Sequence, residues 1–255
     1  AESTLYGPNA RTEGRMVNGS VRELVAILEQ DHNATFAKYR DVFSDDYIAF
    51  IMSMSNNGRK RSFDYSLKKL QNCLILWEVS SPETLLQSPK FTPGIIEYFN
   101  EIMSFKGKDK EGMPVLRINL QAVDYDKLKG KEDLLLDYMT AISYQCLRTA
   151  PPGQYRFLNI YTGKPSNRYT WFLSFARKLT AKMPQMFPDR SKGNAFLDMN
   201  PILIKIIQFM RPLLPENTKQ RFIIGTNAEI LGKLSEICDV KLVLPEYVDC
   251  DDLSN

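Results

Sequence analysis

"PILIKIIQFMRPLLPENTKQRFIIGT", residues 201–226, passes from a strongly apolar helical run into a strand-like one. At 100° per residue, Ile202, Leu203, Ile206, Ile207, Phe209, Met210, Leu213 and Leu214 spread over an arc of about 160°. Lys205, Gln208 and Arg211 share the remainder with Ile204. A surface helix ordinarily hides an apolar stripe of about 100°. This helix therefore carries more apolar surface than one packing face uses. At about 14 residues it is some 21 Å long and interrupted by charge, too short to cross a bilayer.

The strand that follows it, "RFIIGT" (221–226), has counterparts earlier in the chain: "MPVLRINL" (113–120), "YRFLNIYT" (155–162) and "GNAFLDM" (193–199). Between them lie two helical segments, "KEDLLLDYMTAISYQCLR" (131–148) and "NRYTWFLSFARKLTAKM" (167–183). Strands and helices alternating at this interval imply crossover connections and a largely parallel or mixed sheet.

The first third of the chain reads differently. Residues 1–16 have no periodicity and form a loose arm. From Ser20 to Trp77 the pattern is helical: "SVRELVAILEQ" opens with Ser20 and Glu23 at capping-box spacing, and "SDDYIAFIMSM" follows with acidic residues in its first turn. "SFDYSLKKLQNCLILW" places Leu67, Leu70, Cys73, Leu74 and Trp77 at three-four spacing. Pro82, Pro89 and Pro93 mark residues 80–94 as a linker. The expected division is an arm at 1–16, a helical region with its linker at 17–94, an α/β domain at 95–248 and a polar tail at 249–255.

The totals narrow the chemistry. Of 255 residues, 44% are hydrophobic and 25% charged, an ordinary globular composition, and 33 Lys and Arg against 30 Asp and Glu give a formal charge of +3. That bias is too weak to imply nucleic acid, though it tolerates an anionic surface or a phosphate in a local basic pocket. Cys73, Cys146, Cys238 and Cys250 are scattered without a CxxC pair, as free thiols are. No N-terminal apolar run resembles a signal peptide. The single histidine, His32, sits in the first helical region as a surface or interhelical residue, so histidine-based triads and multi-histidine metal sites are not expected. Gly107–Gly112 has the four-residue gap of a phosphate loop, but Met113 and Pro114 stand where Lys and Ser or Thr belong, and a tight turn fits better. Carboxylates are plentiful, with no spacing that argues for a catalytic pair. The sequence reads as a binder rather than an enzyme.

The order of these pieces resembles a known family. A helical region and linker lead to "DKEGMPV"; "MFPDRSKGNAFLDMNP" runs into the apolar helix; "RPLLPENTKQRFIIG" follows, and the domain ends in "LPEY". Over residues 20–248 this is similar to the CRAL-TRIO lipid-binding family, which includes cellular retinaldehyde-binding, α-tocopherol-transfer and phosphatidylinositol-transfer proteins. The resemblance implies an α/β fold in which a mixed sheet with flanking helices forms an apolar lipid pocket closed by a gate helix. The gate would be the helix from Pro201 to Leu214. Ile202, Ile206, Phe209, Met210 and Leu213 would serve the gate and pocket, and spacing does not say which faces the lipid and which the membrane.

Phosphatidylinositol-binding members hold the headgroup phosphate with an Arg before "KFD", a Glu in "YPER", and a Thr and a Lys after the gate. Here "RKRSFD" offers Arg59 and Arg61, "FPDR" offers Asp189, and "ENTKQR" offers Thr218 and Arg221, with Gln220 the competing register. Asp is one methylene shorter than Glu, whereas Arg for Lys keeps the charge and adds a bidentate fork. Met113 and Val248-Asp249 depart from the family's "GRPV" and "LPEEYGG". The resemblance implies a non-enzymatic, monomeric, cytoplasmic carrier that touches membranes transiently. It would use no cofactor beyond its bound lipid, no metal and no nucleic acid. Phosphatidylinositol is the favoured ligand. A carrier of an apolar isoprenoid-type molecule (retinoid, tocopherol or sterol), or a membrane-targeting or protein-interaction module, are the alternatives.

Overall fold

Ser62 ends the extended backbone that precedes the longest helix of the first third, and its hydroxyl accepts from the Tyr65 amide at 3.2 Å. That cap starts α4, Phe63–Ser80, which stops at Ser81 in the left-handed conformation. In the computed structural model, which describes residues 19–56, 58–164, 169–210, 212 and 219–247, α4 is the spine of the helical region. Around it lie α1 (Val21–Asp31), α2 (Asn33–Lys38) and α3 (Asp45–Ser53). Ser20 caps α1 by accepting from the Glu23 amide, and Ser44 caps α3. A two-stranded hairpin, β1 (Ser55–Asn56) and β2 (Arg59–Lys60), joins α3 to α4.

The sheet has five strands: β3 (Met103–Lys108), β4 (Pro114–Asn119), β5 (Phe157–Thr162), β6 (Ser191–Leu197) and β7 (Phe222–Ile223), hydrogen-bonded in chain order. β3 runs antiparallel to β4, and β4 to β7 run parallel, so the sheet is mixed. The intervening helices are α5 (Pro93–Ile102), α6 (Tyr125–Leu128), α7 (Glu132–Arg148), α8 (Tyr169–Met186) and α9 (Pro201–Met210), with α10 (Asn227–Ile237) after β7. The β3–β4 turn contains the Gly107–Gly112 segment. Asp109 Oδ1 accepts from the amides of Glu111 and Met113, and Lys192 donates to its other oxygen at 2.8 Å. Gly112 has φ +85°, and a Cβ there would come within 2.9 Å of Pro151. Those are turn requirements, and the tight-turn reading holds.

Each face of the sheet owns a core. Val115, Leu158, Ile160, Ala195 and Leu197 pack against Ile230 and Leu234 of α10 on one side. On the other, Leu116, Ile118 and Phe157 join a larger core that runs without interruption into Leu24, Leu28, Phe43, Tyr47 and Trp77 of the helical region. Trp77 is its centre, with the rings of Tyr39, Phe43, Tyr144 and Phe187 at centroid distances of 4.9 to 5.8 Å. The proline-rich stretch at 80–94 is packed as well: Phe91 is buried, and Tyr39 donates to Glu83, which also pairs with Lys38. Cys73, Cys146 and Cys238 are free and buried; Cys250 lies outside the described residues, as do the arm at 1–16 and the tail at 249–255. Among the described residues, no helix is long and apolar enough to cross a membrane.

Candidate functional site

The segment Met186–Arg190, between α8 and β6, is where the helical region grips the sheet domain. Trp77 Nε1 donates to the Met186 carbonyl at 2.7 Å, the Cys73 thiol to the same oxygen at 3.2 Å, and Tyr47 to the Pro188 carbonyl at 2.6 Å. Burial pushes the Cys73 thiol up to about 12, so it stays protonated and inert. These anchors hold Asp189 at φ +57°, a conformation that an Asp tolerates better than most residues.

So presented, Asp189 collects cations from distant parts of the chain. Arg61 forks onto it, Nη1 donating to Oδ2 at 2.6 Å and Nη2 to Oδ1 at 3.1 Å. Lys69 Nζ donates to Oδ2 at 2.7 Å, and Arg221 Nη2 lies 3.6 Å from Oδ1. The side chains of Arg61 and Asp189 are 2% and 7% exposed. Burial alone would raise the Asp189 carboxyl. The Arg61 hydrogen bonds and the Lys69 charge outweigh it and hold the group at about 2. Burial lowers Arg221, and the nearby charges of Arg156 and Arg61 lower it further, while Asp189 opposes them.

Arg190 turns the other way. It is fully buried, its guanidinium 3.6 Å from the Tyr47 ring centroid, donating to the carbonyls of Tyr155 at 3.0 Å and Val42 at 2.7 Å. Its Nε, like that of Arg156, is buried with no hydrogen-bond partner among the described residues.

Three of the five residues expected at a headgroup site, Arg61, Asp189 and Arg221, are therefore in one cluster. Gln220 is exposed, so the chain brings Arg221 rather than Gln220 to Asp189. Arg59 does not join them; it is exposed on β2. Thr218 lies outside the described residues. Lys69 was not expected, although it shares a helical stripe with Cys73 and Trp77 at spacings of four, and that stripe faces the Met186 segment.

From the cluster, strands β5 to β7 run away with an aromatic face. The register puts Asn159 beside Asn194 and Tyr161 beside Phe196. The two amides are hydrogen-bonded at 3.0 Å, and the two rings stack at 5.0 Å with Phe222 edge-on to Phe196 at 5.4 Å. These residues are half-buried. Burial pushes the Tyr161 hydroxyl up to about 12. None of these aromatics was singled out by sequence.

Helix α9 leaves the opposite, C-terminal end of β6. Asn200 starts it by accepting from the Ile202 amide at 2.9 Å. Leu203 is buried (2% exposed) yet belongs to neither core, whereas Ile202 and Phe209 are 52% and 78% exposed. Ile202 and Phe209, seven residues apart, share one face, and that face is turned to solvent rather than to a pocket. Spacing left open which gate residues face inward, and of the five expected there these two stand on the outer side. The side chains of Ile206 and Met210, and all of Leu213, lie outside the described set. Two shallow clefts, of about 430 and 360 Å³, lie among α1 and α2 residues and near Ser80–Phe91, and neither borders α9.

The sequence matches the family model of the CRAL/TRIO domain over residues 98–247. No curated protein matches it. Among solved structures, the crystal structure of Sfh5 is similar in fold, with a TM-score of 0.52 at 12% identity over 65% of this chain. The chain covers 62% of the length of that structure's own chain.

Proposed function

The chain belongs to the CRAL/TRIO domain family, and from that premise we propose that it carries a single membrane phospholipid, phosphatidylinositol, between bilayers. CRAL/TRIO domains bind hydrophobic lipid ligands and are generally non-enzymatic transfer modules, and membership supports that class of activity here. The finer reading rests on one observation: basic groups from residues 61, 69 and 221 converge on one buried carboxylate at the edge of an aromatic sheet face. Arg61, Lys69 and Arg221, with Thr218, receive the headgroup phosphate, and Asp189 orients them and accepts from inositol hydroxyls. The acyl chains lie along Tyr161, Phe196 and Phe222. The seven residues of β6 span about 23 Å, enough for much of an acyl chain. Helix α9 closes over the lipid on its Leu203 side and meets the membrane with Ile202 and Phe209.

Two measurements test this. Mass spectrometry of a lipid extract should find about one phospholipid per chain, and delipidated protein that takes up no lipid removes the carrier reading. Charge reversal at Arg221 (R221E) should lower phosphatidylinositol transfer between vesicles roughly ten- to hundredfold, the worth of one charge-assisted hydrogen bond. Phosphatidylcholine transfer should fall much less, because its phosphodiester carries the same single charge but its quaternary ammonium is repelled by the cationic cluster, so that lipid has less to lose there. Equal loss for both lipids would place the headgroup elsewhere.

A further inference from the structure

Resting on the reading of the Asp189 cluster as a phosphate site, we propose that the site prefers a lipid phosphomonoester, with two negative charges, over a phosphodiester with one. Among the described residues, Arg61, Lys69 and Arg221 bring three positive charges to the one negative charge of Asp189, an excess of two. A phosphodiester balances half of that excess. A phosphomonoester, at a charge of about −1.5 to −2 near neutral pH, balances nearly all of it.

The surroundings add to the excess. Arg156 stands close enough to Arg221 to disfavour its charge, and its Nε is a buried donor without an acceptor among the described residues. Buried donors without acceptors and guanidinium groups that repel one another are what an added anion relieves. A more highly charged anion relieves more. An extra unit charge beside such a cluster changes affinity by about tenfold or more.

The titratable groups around the site make the preference readable from pH. Asp189 titrates at about 2 and the Cys73 thiol at about 12, and the Tyr47 hydroxyl is raised by burial. Lysine and arginine side chains in general give up their protons only above about pH 10. Between about pH 5.5 and 7.5 lie none of the shifted ionisations of Asp189 and Cys73, while a phosphomonoester crosses its second ionisation near pH 6. Any change of affinity in that window belongs to the ligand.

The experiment is calorimetric titration of the delipidated full chain with short-chain lipids of one acyl composition. The probes are phosphatidic acid and phosphatidylinositol 4-phosphate as monoesters, phosphatidylinositol as diester, and glycerol phosphate as a soluble monoester. Both monoester lipids should bind about tenfold or more tightly than phosphatidylinositol at pH 7.5, and the ratio should shrink at pH 5.5. Lys69→Met should narrow the ratio and Lys69→Arg should keep it. Equal affinity for monoester and diester lipids, flat with pH, overturns the preference and leaves the carrier standing, as does a ratio indifferent to Lys69→Met. If no lipid binds, the carrier reading falls and the preference with it. If glycerol phosphate binds as tightly as phosphatidic acid, the monoester preference stands and the lipid is removed from the reading.

Discussion

Asp189 keeps its charge in surroundings where burial alone would favour the neutral acid. Its folded carboxyl titrates at about 2, below its ordinary 3.8, so the carboxylate is favoured by folding. A depressed carboxyl stabilises the fold at pH values above its unfolded pKa and loses that contribution as pH falls through the folded one. The contribution is about 2 kcal/mol, fully present above roughly pH 4 and gone below about pH 2. Denaturant midpoints of the wild-type chain should therefore fall between pH 4 and 2, and Asp189→Asn should be less stable at neutral pH and flatter across that interval. A variant with the wild-type acid slope would assign that slope to other carboxylates. The same residue explains what the sequence could not display. "FPDR" offers Asp189 and Arg190 as an obvious neighbouring ion pair, yet the left-handed backbone at Asp189 sends the two side chains to different partners. Lys69 stands next to Lys68 in "SLKKLQ", and composition does not separate them. Only the rotation of α4, set by Trp77 and Cys73 against the Met186 carbonyl, turns Lys69 inward and leaves Lys68 exposed.

Among the elements, α9 shows how far periodicity reaches. Its broad apolar arc is legible from residue spacing alone, because side-chain direction on a helix follows from 100° per residue. Which flank is buried depends on what lies beneath, and spacing is silent on that. Leu203 takes the inner side and Ile202 with Phe209 the outer one. Substitutions at the two sides should therefore separate two steps of a transfer cycle. Phe209→Glu, at an exposed position, should change stability by no more than about 0.5 kcal/mol. It should weaken vesicle binding about tenfold, since inserting a Phe side chain is worth roughly 1.5–3 kcal/mol. The purified variant should still carry its lipid. Leu203→Glu should instead empty the protein while vesicle binding persists. Cosedimentation with vesicles and lipid analysis of the purified variants measure both; loss of lipid from F209E together with intact docking would invert the assignment of faces. The sheet was legible in a similar partial way. Strands β4, β5 and β6 announced themselves by apolar runs, while β3 escaped because Lys106 and Gly107 interrupt it and a bulge shifts its register there.

At the level of the whole molecule, the sequence separates a helical region from an α/β domain by a proline-rich stretch, and the packing does not. One core runs from Leu24 through Trp77 to Phe157 and Phe187, and Arg190 ties the Val42 carbonyl to that of Tyr155. Prolines signal breaks in regular structure, and they carry no information about whether the broken stretch is packed. Here Phe91 and Glu83 show that it is. The polar cluster depends on this union, because Arg61 and Lys69 come from the helical side and Asp189 and Arg221 from the sheet side. A headgroup site shared between two bodies that opened independently would lose its geometry at each opening. The two should therefore unfold as one cooperative unit. Trp77→Ala removes the ring at the centre of the shared core and should cost roughly 3–5 kcal/mol. If the unit is single, hydrogen exchange should show that loss equally in the most protected amides of α4 and of β5, though Trp77 lies in α4 alone. Protection lost in α4 with β5 unchanged would mean two folding units, and the cluster would then be an interface that opens and closes with the motion of one against the other.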